Sequence, residues 1–222
     1  MSHVAISDLH IGRDDKADDF YSDLSLQYLC SEVNENNDTL ILNGDICEGH
    51  QASADEIYAA HRPTIEAMKG VTDLYVIDGN HDNGVTAELL DMEPLPWLVL
   101  DGVYYEHGHA HDPLVRRWPA LCRLATWTCG WLERWIHKDI DAWLGGTGRY
   151  GGQRAESIAR YHMAVGRAAR EHGCERALYG HLHWKYPMQV MPPLGFAEWI
   201  GPEVGNMGHC TNGNVDVTRL EV

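Results

Sequence analysis

Five short polar clusters in this chain combine aspartate, asparagine and histidine at close spacing. They are Asp8-Leu9-His10, Gly44-Asp45, Gly79-Asn80-His81-Asp82, His107-Gly108-His109-Ala110-His111 and Gly180-His181-Leu182-His183. Carboxylate, amide and imidazole donors in that mixture suit Mn, Fe, Zn or similar divalent ions, and soft thiolates are absent from the set. The six cysteines, at 30, 47, 122, 129, 174 and 210, include no Cys-x-x-Cys pair, so a thiolate zinc site is not expected. Cys47, close to Asp45, reads as packing because nothing beside it marks a nucleophile. An isolated Asp-x-His or Gly-Asp is mostly turn chemistry. Only the five clusters together amount to a signal.

The elements that must position these clusters are short β-branched or aliphatic runs, each ending in a polar cluster. The strands are expected at His3 to Ser7, Thr39 to Leu42, Leu74 to Ile77, Trp97 to Leu100, Val103 to Tyr105 and Ala177 to Tyr179. Helical patterns fill Asp19 to Asn34 and Ala54 to Met68, the second reset at Pro63. Strand, helix, strand, helix, strand implies parallel pairing. Asp101-Gly102 between two apolar runs is a two-residue hairpin signal, so an antiparallel element follows. The tail from Met188 to Val222 alternates apolar residues among many Gly and Pro, which suits a second sheet. The fold class is therefore α/β with mixed sheets. In such sheets ligands collect at the carboxyl ends of strands, so the five clusters are expected to converge on one rim.

Composition limits what else the chain does. Its 222 residues correspond to one domain, 1–222, and no apolar run approaches the ~20 residues that span a bilayer. The start, Met1-Ser2-His3-Val4-Ala5-Ile6-Ser7-Asp8, has no positive region, long apolar run or cleavage pattern, so a cytoplasmic location with reduced thiols is expected. Seventeen basic against thirty-three acidic residues give a net charge of −16, which argues against general affinity for nucleic acid. The imbalance is local. Residues 1–111 carry 4 basic and 22 acidic side chains, residues 112–176 carry 11 and 7, and the remainder 2 and 4. The basic middle third reads as a helical insertion at about 112–172.

The series Asp8-x-His10, Gly44-Asp45, Gly79-Asn80-His81-Asp82, His107 and Gly180-His181-x-His183 resembles the five-motif signature of the calcineurin-like metallophosphoesterases, in the family's order and over nearly the whole chain. The resemblance implies a four-layer α/β/β/α sandwich of two mixed sheets. It implies one metal held by Asp8, His10, Asp45 and His183, and a second held by Asp45, Asn80, His107 and His181, with Asp45 bridging. Mn is the expected ion, with Fe, Zn, Ni and Co as alternatives. Two cations ~3.5–4 Å apart can activate a bridging water for in-line attack at phosphorus and stabilise both the entering and leaving oxygens. They also let a −16 chain bind an anion. In the family the histidine at His81 faces the substrate. It is expected to protonate the leaving alkoxide or steady the phosphoryl oxygens, with Asp82 orienting it. Arg13 is a candidate phosphate clamp by virtue of its bidentate fork, although its acidic neighbours offer it other partners. His109 is a candidate substrate contact, and His50 is placed to line the pocket. His3, His61, His137, His162 and His172 read as surface or packing residues.

The insertion holds five of the eight tryptophans, at 118, 127, 131, 135 and 143, interleaved with Leu and Ile. As one helix from Trp118 to Trp143 it spreads apolar positions over roughly 220° of its circumference, more than the ~100° stripe of a surface helix. If Gly130 breaks it, two ordinary amphipathic helices absorb the same residues. Its place after His107 is similar to that of the insertion in the UDP-2,3-diacylglucosamine pyrophosphatases of this family, where it houses acyl chains. That group usually has Arg where this chain has His81, and an acidic residue at His109. The resemblance thus implies a phosphoester hydrolase acting on a small or lipid-linked phosphate ester, whether monoester, diester or pyrophosphate. A Mn-dependent nuclease and a non-catalytic scaffold of the same fold are the alternatives. The Trp-rich surface is offered to substrate, to a membrane surface or to a second copy in a homodimer.

Overall fold

The computed structural model describes residues 2–15, 20, 22–136, 151–181, 185–189, 203–207 and 217–221. The first sheet is built from β1 (Ser2–Ile6), β2 (Thr39–Asn43) and β3 (Leu74–Ile77), which pair in parallel in the order β3-β2-β1. The crossovers are α1 (Asp23–Asn36) and α2 (Ala54–Lys69), and a short α3 (Val85–Leu90) follows β3. A capping box starts α2, with Ser53 accepting from the Glu56 backbone and Glu56 returning the bond. The expected reset in α2 is present as non-helical backbone at His61, two residues before Pro63. The proline ring crowds the preceding turn and offers no N–H, so the turn before it opens.

The second sheet runs β4 (Leu98–Leu100), β5 (Val103–Glu106), β6 (Arg176–Tyr179), β8 (Glu203–Met207) and β7 (Lys185–Gln189). The β4–β5 hairpin turns through Asp101 and Gly102, at φ 47° and 74°, the two left-handed positions of a type I′ turn. β5, β6 and β8 are mutually parallel, and β4 and β7 pair antiparallel at the two edges. The tail divides between the sheets. β7 and β8 join the second as expected, but β9 (Thr218–Glu221) returns to the first and pairs antiparallel with β1, Ser2 against Glu221.

Period-two alternation sorts the side chains into layers. Val4, Ile6, Leu40, Leu42, Leu74 and Val76 face α1 and α2. Their neighbours Ala5, Ile41, Tyr75 and Ile77 face the second sheet, meeting Val103, Tyr105 and Leu178. On the far side of that sheet, Tyr104, Ala177 and Tyr179 pack on Tyr161, Val165 and Ala169 of α6 (Gly151–Glu171). Helix, sheet, sheet, helix is the four-layer α/β/β/α order.

The insertion begins with α4 (Pro113–Arg117) and α5 (Pro119–Ile136). Gly130 does not break α5. It is buried against the amide end of the Gln51 side chain, which would have to move to admit a Cβ there. Arg134 fixes the same contact through Asp15 Oδ2, 2.7 Å away. On the outer side, Trp118, Leu121, Leu124, Trp127, Trp131 and Trp135 recur every three or four residues and are 46–71% exposed. Residues 137–150, with His137 and Trp143, lie outside the described residues.

Candidate metal centre

Both groups of parallel strands deliver their carboxyl ends to one rim. Backbone bonds stitch the loops there: Asp8 N–H to the Gly44 carbonyl, His10 N–H to that of Asp45, and Gly180 N–H to that of His107. Asn43 donates its amide to the Glu106 carbonyl across the sheets at 2.8 Å. Gly44, at φ 81°, runs against the His107 ring so closely that a Cβ has no room. Asp8, His10, Asp45 and His181 also have positive φ, between 49° and 69°. Four non-glycine residues in the left-handed region within one cluster mark strain held by the surrounding loops, as at functional sites.

The side chains form two triads that share one carboxylate, Asp8–His10–Asp45 and Asp45–His107–His181, with donor atoms within 4.8 Å of one another in each. Backbone amides aim both acids. His81 N–H donates to Asp45 Oδ1 at 2.8 Å, and His181 N–H donates to both Asp8 oxygens. His107 Nδ1–H donates to the Asn43 carbonyl at 3.0 Å, leaving Nε2 as the lone-pair nitrogen of the neutral ring. That nitrogen lies 3.0 Å from Asp45 Oδ2, and with the ring neutral neither atom has a hydrogen-bond donor among the described residues. The Asn80 Oδ1 atom is likewise buried and unpartnered. Buried acceptors this close repel unless a proton or a metal cation lies between them. The donor set therefore fits divalent metal. His183 lies outside the described residues.

Electrostatics of the metal-free protein agree. Burial opposes charge on His107, but Asp45 outweighs it and raises the imidazole to about 9. Burial likewise opposes ionisation of Asp45, and His107, His81 and His10 overcome it, holding the acid well below the usual carboxylate range. The pocket thus calls for positive charge, and protons on histidine supply it in the metal-free state.

His81 is paired differently from the expectation. Its Nδ1 sits 2.8 Å from Glu48 Oε2, and the same oxygen is 3.0 Å from His10 Nδ1. Burial opposes both charges of the His81–Glu48 pair. Asp45 and Glu48 nevertheless lift His81 to about 10, and His81 and His10 pull Glu48 down to about 2. Asp82 does not touch this ring. One of its oxygens accepts from the Ile46 and Cys47 amides and the Thr86 hydroxyl, the other from the Asp45 and Gly79 amides. Asp82 is thus the clamp that joins the loop carrying Asp45 to the loop carrying Asn80. Glu48 is the residue that sequence reasoning passed over, and its signal is a second carboxylate three positions after Asp45 on the same loop.

Arg13 does not form the expected anion clamp. Its fork is occupied by Asp15 at 2.6 Å and Glu56 at 2.8 Å, the local neutralisation its acidic surroundings favour. His50 donates through Nε2 to the Asn80 carbonyl at 2.8 Å and lines a cavity of about 600 Å³ together with Asn80 and His109. Burial and then the neighbouring His107 charge push His109 down to about 4, so its ring is neutral. Among the other histidines, His3 is buried between Tyr105 and Asp101, His61 bonds to Asp23, and His172 stacks near Trp97 and Tyr104.

A model of the family described as calcineurin-like phosphoesterase matches residues 1–185. Among solved structures the chain is similar to a conserved predicted phosphoesterase from Streptococcus pneumoniae, at 14% identity and TM-score 0.38, covering 98% of this chain and 80% of that one. It is also similar to a cold-active protein-tyrosine phosphatase of a psychrophilic Shewanella species, at 11% identity and TM-score 0.39, covering 92% and 70%. No curated protein matches the chain.

Proposed function

The chain belongs to the calcineurin-like phosphoesterase family, and from that premise we propose that it hydrolyses a phosphate ester with the help of two divalent cations, Mn foremost, at the shared rim. The observation that carries this reading is the pair of triads sharing Asp45, Asp8–His10–Asp45 and Asp45–His107–His181, each with its ligand atoms within 4.8 Å of one another, beside a buried Asn80 Oδ1 that has no partner among the described residues. Asp8, His10, Asp45 and His183 would hold one ion, and Asp45, Asn80, His107 and His181 the other. Cations bound there supply Lewis acidity, an activated water and the positive charge that draws a phosphate to an acidic chain. The protein's own part is positioning and proton transfer. Asp82 fixes the spacing of the two loops. Glu48 holds the Nδ1 proton of His81, which leaves Nε2 as the nitrogen that protonates the departing alkoxide.

A lipid-linked ester is a second reading, favoured by the exposed Trp and Leu stripe on the very helix whose inner side walls the cavity. No helix among the described residues is long and apolar enough to cross a membrane, so contact with lipid would be at a surface. The deciding experiment strips metal with a chelator, restores Mn, and measures rates on a phosphomonoester, a phosphodiester and a pyrophosphate-linked lipid, with single-stranded and duplex DNA as nuclease substrates. Metal-dependent turnover of any one ester supports the hydrolase, and the rank order selects the branch. A metal-loaded protein inert toward all of them refutes it and leaves the scaffold.

A further inference from the structure

The cavity beside Asn80 has a wall that the metal centre does not explain. Its volume falls within the ~300–1,000 Å³ of small-molecule sites. The floor is the loop around Asn80, one side is the turn carrying His109, and the far wall is α4 and α5 with Arg116 and Arg123. In a chain with 33 acidic and 17 basic residues, cations usually find carboxylates. Arg13 and Arg134 do so on Asp15, Arg219 does so on Glu32, and Arg117 lies over the Trp118 ring. Arg116 and Arg123 make no ion pair or side-chain hydrogen bond with any described residue. Among the described residues Asp78 is the only carboxylate lining the cavity, so the two guanidinium groups outnumber the acids there within a protein of charge −16.

The arginines are also close to the metal rim. His50 lines the same cavity as Arg123 and is bonded to the Asn80 carbonyl. Its imidazole is pushed down first by burial, with the charge of Arg123 among the further causes. Asn80, His50 and Arg123 line the same cavity, so a ligand at Asn80 shares it with a group at Arg123.

We infer that the substrate carries, beyond the phosphoryl group that is cleaved, a second anionic group, phosphate or carboxylate, held across this cavity by Arg116 and Arg123. Guanidinium suits both oxyanions through its paired N–H donors. The inference rests on the hydrolase reading for the cleaved group and narrows its substrate class to esters with two anionic centres. It also gives the helical insertion a role in specificity, since both arginines lie on it.

The test compares phenyl phosphate, 4-carboxyphenyl phosphate and benzene-1,4-diyl bisphosphate, together with the p-nitrophenyl diesters of the first two, on the Mn-loaded full chain. Charge-assisted hydrogen bonds contribute enough that the two arginines together should favour the doubly anionic probe by at least about tenfold in kcat/KM. In Arg116→Gln with Arg123→Gln the preference should collapse toward parity. The more strongly preferred of the carboxylate and bisphosphate probes identifies the natural second group. A wild-type protein that shows no preference, or a double variant that keeps it, overturns the proposal. A readout independent of turnover is calorimetric binding of 4-carboxyphenylphosphonate against phenylphosphonate to the Mn-loaded protein. If no ester is cleaved, the hydrolase reading falls while this binding ratio still decides the subsite. A tenfold ratio that the double variant loses supports it, and equal binding refutes it.

Discussion

Replacing Asp82 by Asn separates a clamp from a catalytic partner of His81. The carboxylate takes five donors: the backbone amides of Asp45, Ile46, Cys47 and Gly79, and the Thr86 hydroxyl. An asparagine offers one acceptor oxygen, so its NH2 must face one pair of those amides. If the oxygen keeps Ile46, Cys47 and Thr86, the Asp45 and Gly79 amides become buried donors without acceptors. Each such loss costs ~1–3 kcal/mol, so Asp82→Asn should destabilise the protein by about 2–6 kcal/mol, a large share of the 5–15 kcal/mol typical of a whole domain. Urea unfolding of the metal-stripped protein reads this directly. Thr86→Val removes a single donor and should cost about 1 kcal/mol, which gives a measurable value even if Asp82→Asn folds poorly. Metal affinity should fall in step, because the freed amides open the loops that carry Asp45 and Asn80. An Asp82→Asn protein with the wild-type urea midpoint and metal content, but depressed turnover, would refute this reasoning and return Asp82 to the service of His81.

Other consequences are simpler to measure. His81→Ala should lower turnover by ~10²–10⁴ while metal content by elemental analysis stays at the wild-type level; unchanged turnover removes its role in proton transfer. In the metal-free protein, an NMR titration should find His81 protonated up to about pH 10, because its raised pKa keeps the charged form, and Glu48→Gln should lower that midpoint by at least one unit. Burial alone pushes His162 down to about 4, so the folded state holds it neutral while the unfolded chain takes up a proton below the ordinary value of 6.5. Folding stability linked to this group is complete above pH 6.5 and is lost as pH falls toward 4. The loss is about 3 kcal/mol over that window. Urea unfolding at pH 7 and pH 4.5 should therefore show a smaller pH-dependent loss in His162→Leu than in wild type.

What the sequence made legible, and what it concealed, follows from how far each relationship reaches along the chain. Asp8, Asp45, Asn80, His107 and His181 stand within a few residues of strand ends, and parallel pairing sends those ends to one rim whatever the loops do in detail. The alternation in β1 to β3, β5 and β6 likewise assigns inward and outward faces without any knowledge of neighbours. Partners of the ligands are another matter. Sequence adjacency suggested that Asp82 serves His81, but successive residues in a tight turn point in different directions, and Asp82 turns back onto amides 35 to 37 residues earlier. Glu48 reaches the same imidazole from 33 residues away, which no local pattern encodes. The tail shows the same limit, because alternation marks β9 as a strand but not which sheet has a free edge beside β1. Gly130 is the complementary case. Local propensity reads it as a break, costing about 1 kcal/mol against alanine in a helix, whereas α5 runs through it with the residue buried beside the Gln51 side chain. The residues hardest to read alone are thus the ones that join distant loops: Asp82 and Glu48 tie the loops of the metal rim, and Arg134 ties the helix bearing Arg123 to Asp15 and Gln51.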